Sequence, residues 1–226
     1  MSLQRPHSRA LIAGGTGRVG HAIAERLRAD AWSVIAAGRA DGDLRSRDGA
    51  AALVAHAVEE LGGLDLVVHA AGAGFEPKPF DEVTEADWDA ALDVTAKGTF
   101  FLAQAAAPAL RESHGVLLII EDVASFQAWT SFGPHSAAKA AQAMLTRVFA
   151  RALAPEVRVC GIAPGPVAVE PGQEERRAAE TLLGRVGSPA DIAEAVVYLA
   201  GAGYVTGTTL VVDGGRLEKT GRRSTP

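Results

Sequence analysis

The segment ALIAGGTGRVG, residues 10–20, is the most informative part of this sequence about its fold. A short apolar run opens it, and four glycines follow. Val19, Ile23 and Leu27 then recur every four residues, which is typical of a helix with one apolar stripe. Glycines between a buried strand and a helix N-terminus allow tight turning and let a phosphate approach the backbone N–H groups. The stretch therefore predicts a phosphate-binding turn, although plain turns also use glycine.

Short apolar runs and longer helical patterns alternate along the rest of the chain. Strands are predicted at 10–14, 33–38, 64–72, 115–120, 157–165 and 208–215, and further helices near 50–61, 85–110, 135–154 and 188–200. The last helix has a clear start, because Ser188 can cap it, Pro189 fits its first turn and Asp191 suits its dipole. This order predicts an α/β fold, a single domain over residues 1–226 with a Rossmann-type doubly wound parallel sheet flanked by helices. Residues 1–8 and 217–226 are expected to be flexible ends.

The composition is that of an ordinary globular protein. Of the 226 residues, 48% are hydrophobic and 22% charged, and the net charge is −5, which predicts neither a nucleic-acid nor a membrane partner. The single cysteine, Cys160, cannot form an internal disulfide, and no metal-ligand spacing occurs, so no metal is expected. The N-terminus MSLQRPHSR lacks the apolar segment of a signal peptide, so a cytoplasmic protein is expected.

Over roughly residues 9–215 the sequence resembles the short-chain dehydrogenases/reductases. The glycine turn of that family reads T-G-x-x-x-G-x-G. Gly14 and Gly20 stand at matching places, whereas Arg18 replaces the middle glycine, as in the pteridine reductase branch. Further matches in the family's order are Asp43-Leu44 beside the adenine, the Ala71-Gly72 end of HAAG, APGPV (163–167) over the nicotinamide, and VTGTTLVVDGG (205–215) as the last strand.

The resemblance also implies a catalytic set. The family uses Ser and Tyr-x-x-x-Lys, together with an Asn that holds a water. Lys139 matches the lysine, His135 stands in the tyrosine place, Asp122 in the serine place and Thr95 in the asparagine place. Asp122 is a second feature shared with the pteridine reductases. The resemblance therefore implies catalytic roles for Asp122, His135, Lys139 and Thr95.

The chemistry of these residue types leaves alternatives open. Asp122 ends a buried strand at the edge where such sheets bind ligands, and His135 shares a helix face with Lys139. Histidine can supply the proton that a hydride-transfer product needs, and Asp122 would favour the imidazolium while Lys139 would disfavour it. If His135 is neutral, Asp122 or a water must deliver the proton. His135 can also mark a nucleotide-binding shell that has lost catalysis.

The cofactor expected here is NADP(H) rather than NAD(H). The end of the second strand holds Gly38 and Arg39 in place of an acid, and a cation there favours a 2′-phosphate, although Asp41 lies close by. Few residues separate Arg39 from Asp43, where the family has a helix and most of a strand, so a trimmed sheet edge is expected. The predicted cofactor-binding residues are Gly14, Thr16, Gly17, Arg18, Val19, Gly20, Arg39, Asp43, Leu44, Ala71, Gly72, Lys139, Pro164, Gly165 and Val167.

Together these features predict an NADP(H)-dependent oxidoreductase that reduces a carbonyl or C=N bond of a small, pterin-like molecule. One alternative is a degenerate nucleotide-binding or partner-binding protein without turnover. Another is a cofactor-free lyase or dehalogenase, which would leave Arg18, Arg39 and Asp43 without a phosphate or adenine to hold. Residues 167–186 are expected to form a lid over the site. The resemblance implies a homodimer or homotetramer, paired through helices 85–110 and 135–154.

Overall fold

Six parallel strands form one sheet in the order β2-β1-β3-β4-β5-β6. The computed structural model describes residues 8–74 and 76–219. The strands are β1 Arg9–Ala13, β2 Ser33–Ala37, β3 Leu66–His69, β4 Val116–Ile120, β5 Arg158–Pro164 and β6 Thr209–Val212. The predicted α/β fold is confirmed. The predicted flexible ends lie outside the described residues, except for Ser8 and 217–219, where the Leu217 N–H donates to Asp213 at 2.8 Å.

Helices cover both faces of the sheet. They are α1 Arg18–Ala29, α2 Arg47–Leu61, α3 Glu85–Leu92, α4 Gly98–Ser113, α5 Gly133–Leu153, α6 Glu174–Ala178 and α7 Pro189–Gly201. On one face α1 and α7 bury Ile23 and Val196, and on the other α2, α4 and α5 bury Leu53, Leu102 and Phe149. The central strands β1, β3, β4 and β5 are buried on both faces and are largely apolar, whereas the edge strands β2 and β6 are partly exposed. The predicted capping of α7 is confirmed, with Ser188 and Asp191 forming a reciprocal capping box.

The helix predicted over 85–110 is interrupted. A π-helical turn, Asp93–Lys97, separates α3 from α4, and α4 continues to Ser113. Residues 93–97, DVTAK, contain no proline or glycine, so the sequence pattern did not reveal the turn. Such turns are frequent at functional sites because they change the partners of the backbone carbonyl groups. Thr95, at the centre of the turn, is buried.

The sheet edge beside β2 is short, as predicted. β2 is an edge strand, and the described chain between Ala37 and Arg47 forms neither helix nor strand. The strand order reverses at β1, which pairs in parallel with β2 on one side and β3 on the other. In open α/β sheets the crevice at the carboxyl ends of such strands is where ligands bind. The residues that follow β1, β2 and β3 therefore border the candidate site.

Candidate active site

The glycine turn joins β1 tightly to α1. Gly14 has φ +90°, and a Cβ on it would lie 2.4 Å from the backbone nitrogen of Ala71. The N–H groups of Gly14 and Gly15 both donate to the carbonyl of Ala37. A Cβ on Gly20 would lie 2.2 Å from the carbonyl oxygen of Gly14. The fold itself therefore requires Gly14 and Gly20, whatever the turn binds.

Gly17 is different, because the fold has no need of a glycine there. Its φ of −78° suits any residue, and a Cβ would approach only the carbonyl oxygen of Gly14, at 3.4 Å. Gly17 is the N-cap of α1 and has no side chain to accept from the first-turn N–H groups, and the first turn carries no acid. The exposed space beside Gly17 is thus suited to an anionic group that approaches the backbone closely.

A cavity of about 210 Å³ lies beside this turn at the carboxyl ends of β1, β2 and β3. Asp43 is paired there with Arg45 at 2.8 Å, and this hydrogen bond lowers the pKa of Asp43 to about 2, with Arg39 contributing. Two guanidinium groups and one paired carboxylate therefore border the cavity. Eight predicted cofactor-binding residues line it: Gly14, Thr16, Gly17, Arg39, Asp43, Leu44, Ala71 and Gly72.

The remaining predicted cofactor-binding residues are not among those that line this cavity. Arg18 points away to the segment predicted as a lid, where it donates to Glu170 at 2.7 Å. Val19 and Gly20 lie in the first turn of α1, and Pro164 and Gly165 lie at the end of β5. Val167 lines a separate cavity of about 400 Å³ with Leu182, Asp213 and others. The Arg18–Glu170 pair connects the glycine turn to the 167–186 segment.

Asp122 and His135 come together at the carboxyl end of β4. Asp122 follows β4 directly and accepts a hydrogen bond from the Ala124 N–H at 2.8 Å. Its other oxygen lies 3.6 Å from Nε2 of His135, in the first turn of α5. The His135 ring stacks on Trp129, with 14° between the planes and 6.4 Å between the centroids. The guanidinium carbon of Arg216 lies 4.8 Å from the centre of the Trp129 ring.

Lys139 lies one helical turn further along α5 and is buried. Its Nζ donates to the carbonyl oxygen of Ile120 and to Oε1 of Gln142, both at 2.9 Å. Burial lowers the pKa of Lys139, and the carboxylates of Asp122 and Glu121 oppose this effect. The ammonium group is thus held on its sheet side by two oxygen atoms.

Thr95, the fourth predicted catalytic residue, is connected to Lys139 through Gln142. The Thr95 carbonyl accepts from the Thr99 hydroxyl at 2.6 Å and lies 3.4 Å from Nε2 of Gln142. Gln142 and Thr99 were not identified from the sequence. The spacing of Lys139 and Gln142, three residues apart on one helix, was the available signal.

Glu121 is a third residue that was given no role from the sequence. Its carboxylate is buried and accepts from Thr146 at 2.6 Å and from Thr209 at 3.0 Å. Burial raises the pKa of Glu121. A Cβ on Gly161 of β5 would lie 2.0 Å from this carboxylate, so the glycine makes room for it. Glu121 therefore joins β4, β6 and α5 in the wall behind Lys139.

A cavity of about 530 Å³ borders His135 on the other side. Ser131, Phe132 and the Lys78–Asp87 ion pair are among the residues that line it. This volume is in the range of small-molecule sites. Over residues 8–74 and 76–219, no three His, Cys, Asp or Glu side chains are grouped as a metal site. Within the same residues, no helix has the length and apolar character needed to cross a membrane.

Comparisons with known proteins add a family and named relatives. Residues 14–216 match the family model described as enoyl-(acyl carrier protein) reductase. The chain is 35% identical over 190 residues to 2-dehydro-3-deoxy-D-gluconate 5-dehydrogenase of Escherichia coli, covering 78% of this chain and 75% of that protein. It is 31% identical over 241 residues to dehydrogenase/reductase SDR family member 4 of Bos taurus, covering 92% and 86%.

A solved structure with the same fold carries a bound nucleotide. It is the blue fluorescent protein from a metagenomic library in complex with NADPH, which is 25% identical to this chain with a TM-score of 0.84. The match covers 92% of this chain and 97% of that one.

Proposed function

The chain belongs to the short-chain dehydrogenase/reductase family, and from this premise we propose that it is an NADP(H)-dependent reductase of a C=N or carbonyl bond in a small molecule. The observation that carries the proposal is the approach of Asp122 to His135, with the buried Lys139 one turn away, at the edge of the sheet that also holds the glycine turn. When bound, the nicotinamide supplies a hydride, and the chain must then supply a proton.

The residues at this edge fit a dinucleotide. A side chain at Gly17 would fill the space beside the N-terminus of α1, and a glycine that the fold does not need keeps this space open. The backbone at Gly14, Thr16 and Gly17 would hold the diphosphate, with Arg18 beside it. Leu44 and the Ala71–Gly72 backbone would border the adenine side. Lys139 would bond the ribose hydroxyls next to the nicotinamide, and Pro164–Val167 would lie over the ring.

The phosphorylated form of the cofactor is favoured by the charges around the cavity. A Cβ on Gly38 would lie 2.8 Å from the Thr16 hydroxyl oxygen, so a side chain at this position would require Thr16 to move. Asp41 accepts from the Gly38 N–H at 2.7 Å and is not among the residues that line the cavity. Arg39 and Arg45 do line it, with one carboxylate between them. The net positive charge suits a 2′-phosphate.

His135 is the proposed proton donor. Its ring is held against Trp129, and Nε2 faces the Asp122 carboxylate at a distance too long for a strong hydrogen bond. The carboxylate attracts a proton-bearing imidazole and orients it. A reacting atom that comes into contact with both groups would receive the proton from Nε2. Lys139, fixed by Gln142 and Ile120, adds a positive charge beside this point.

The acid at position 122 points to the class of substrate. An ionised carboxylate accepts hydrogen bonds only, and it would repel the oxyanion that forms when a carbonyl is reduced. It would instead accept a hydrogen bond from the N–H that forms when His135 delivers its proton to the C=N nitrogen. We therefore place imines and pterin-like heterocycles before ketones, and Phe132, which lines the cavity of about 530 Å³, offers an aromatic ring to a flat substrate.

An oligomer completes the proposal. Phe100 on α4 and Met144 and Val148 on α5 are exposed apolar side chains, and a homodimer through these two helices would cover them. Tyr198 on α7 and Val211 on β6 form a second exposed apolar surface, which a homotetramer would use. A small molecule is the remaining partner, and a cytoplasmic location stays a prediction.

The direct test is titration of the folded protein with NADPH and with NADH in a calorimeter, followed by NADPH oxidation with imines, pterins, ketones, aldehydes and quinones. We expect tighter binding of NADPH and turnover of a C=N substrate. A folded protein that binds neither nucleotide would remove the proposal. Binding without turnover, with turnover restored in His135→Tyr, would instead support the degenerate alternative, which the named dehydrogenase and reductase relatives do not favour.

A further inference from the structure

The ammonium group of Lys139 is held by a side chain of its own helix. Nζ donates to Oε1 of Gln142 at 2.9 Å and to the carbonyl oxygen of Ile120 at the same distance. An ammonium group has three N–H donors, so these two bonds leave one donor for the cleft that Asp122 and His135 border. Gln142 is completely buried, so it cannot itself contact a molecule in that cleft.

The surrounding hydrogen bonds fix which end of the Gln142 amide faces Lys139. Nε2 of Gln142 lies 2.8 Å from the Thr99 hydroxyl oxygen. That hydroxyl donates its one hydrogen to the Thr95 carbonyl at 2.6 Å, so towards Gln142 it can only accept. The amide NH₂ must therefore point to Thr99, which leaves Oε1 for the ammonium group.

The π-helical turn provides the other end of this connection. In a regular α-helix the Thr95 carbonyl would accept from the backbone N–H of residue 99. Here the Thr95 carbonyl accepts from the Gly98 N–H and the Thr99 hydroxyl, and it lies 3.4 Å from Nε2 of Gln142. Thr95, Thr99 and Gln142 are at most 2% exposed, so water does not compete for these bonds. Loss of one partner would leave a buried polar group without its hydrogen bond.

We propose that Gln142 is a positioning residue, which fixes the Lys139 ammonium group and ties it to the π-helical turn at Thr95. The inference rests on the proposed function for the role of Lys139 in the reaction, but the fixing of the ammonium group stands on the geometry alone. Gln142 acts through Lys139 and touches neither substrate nor cofactor.

Four titratable groups face the Lys139 ammonium group from the elements around it. Asp122 and Glu121 follow β4, His69 ends β3, and His135 precedes Lys139 on α5. Replacing the amide oxygen of Gln142 by an apolar atom removes an acceptor that stabilises the charged ammonium group. A carboxylate at the same place would add an opposite charge and do the reverse. Gln142→Met and Gln142→Glu are therefore expected to shift the protonation equilibrium of the Lys139 ammonium group in opposite directions.

The test is an NMR titration of the protein without cofactor. The chain contains four lysines, so lysine labelled with ¹³C at Cε gives four signals, and Lys139→Arg identifies the one of interest. We expect the midpoint pH of the Lys139 signal to fall in Gln142→Met and to rise in Gln142→Glu. Gln104→Met is the matched control, because Gln104 is exposed on α4. In this variant the midpoint pH of the Lys139 signal should equal that of the unmodified protein.

Opposite shifts would support the inference, because general loosening of the core would move both variants the same way. Shifts of the same sign, or no shift, would overturn it. If Gln142→Met does not fold, Thr99→Val is the second variant, because it removes the acceptor that orients the Gln142 amide. The midpoint pH of the Lys139 signal should again fall. An unchanged midpoint would overturn the inference. With substrate, kcat of Gln142→Met should fall roughly tenfold with little change in KM. Because the titration uses no cofactor, a failed activity assay and a failed titration remain distinguishable.

Discussion

Nε2 of His135 lies 3.6 Å from a carboxylate oxygen of Asp122, and both groups face the end of β4. The family resemblance puts a tyrosine and a serine at these two positions. The two replacements are chemically complementary, because an imidazole N–H is a donor and a carboxylate is an acceptor. If the protein had lost catalysis, nothing would require His135 and Asp122 to lie close to each other. The distance therefore favours a working pair over two independent losses.

The first prediction concerns this pair. His135→Ala should lower kcat by a factor of roughly 10²–10⁴, the usual contribution of a positioned general acid. NADPH affinity should change little, because His135 does not line the cavity proposed for the cofactor. Steady-state kinetics and calorimetry check both statements. His56→Ala, on the exposed face of α2, is the control and should keep full activity. An active His135→Ala would contradict the proposed role.

A second prediction separates binding from folding in the glycine turn. Gly17→Ala places a Cβ in open space, so the free energy of unfolding should change by less than about 1 kcal/mol. NADPH affinity should nevertheless fall more than about tenfold, because the methyl group occupies the approach to the backbone N–H groups. Urea unfolding and calorimetry provide the two numbers. Gly14→Ala should show the opposite, a large loss of stability from strain at φ +90° and the contact with Ala71. Equal nucleotide binding by Gly17→Ala and the unmodified protein would argue against a diphosphate at this turn.

The third prediction concerns the choice of nucleotide. Arg39→Ala should weaken NADPH binding roughly 10- to 100-fold, the range for loss of one charged hydrogen bond, and leave NADH binding unchanged. Arg47→Ala removes an exposed cation just outside the cavity and should weaken neither. Calorimetric dissociation constants for both nucleotides decide the matter. An equal loss for NADPH and NADH would mean that Arg39 does not contact the 2′-phosphate.

Arg18 and Glu170 give the fourth prediction. Their ion pair is largely exposed, with 60% and 68% of the side chains accessible, so it is worth at most about 1 kcal/mol. A diphosphate at the glycine turn would compete with Glu170 for this guanidinium group. Glu170→Gln should therefore bind NADPH up to about fivefold more tightly, and the gain should shrink at high salt. Glu175→Gln, an exposed acid on α6, should change nothing. Weaker binding by Glu170→Gln would show that the pair supports the bound state instead.

The sequence predicted the sheet, the glycine turn and the trimmed edge because each depends on local patterns. Apolar runs indicate buried strands. The short spacing from Arg39 to Asp43 indicates that the helix and the strand that the family has between these positions are absent here. The approach of Asp122 to His135 could also be expected, since a strand end and the next helix start must meet at one edge. The π-helical turn could not be predicted, because residues 93–97, DVTAK, contain no proline or glycine that would mark a break in the helix. Its Thr95 carbonyl accepts from the Thr99 hydroxyl, which in turn accepts from Gln142, 43 residues further along the chain.

The orientation of the Arg18 side chain also could not be predicted from the sequence, because it depends on a residue far away along the chain. A guanidinium group beside a glycine turn can reach a phosphate or a neighbouring carboxylate, and the sequence does not place Glu170 in space. The lid residue lies 152 positions away, so only the folded chain brings the two together.

The fifth prediction concerns acid stability and starts from His69. Burial lowers the pKa of His69 to about 3, and the charge of Lys139 adds to this effect. In the unfolded chain the imidazole has a pKa of about 6.5. Between these values the unfolded state binds a proton that the folded state does not. The free energy of unfolding should therefore fall as the pH is lowered from about 6.5 towards about 3, with a slope of up to about 1.4 kcal/mol per pH unit from this residue.

Urea unfolding at a series of pH values below 6.5 measures this slope. His69→Gln and His69→Leu replace the titrating ring, and both should reduce the slope by the contribution of one proton, whatever they do to the stability at neutral pH. His56→Gln removes an exposed histidine and should keep the slope of the unmodified protein. Glu121, whose pKa burial raises, contributes with the opposite sign but equally in all four proteins. If the slope stays the same without His69, its imidazole is protonated in the folded protein, and Lys139 would then have a second positive charge as its neighbour.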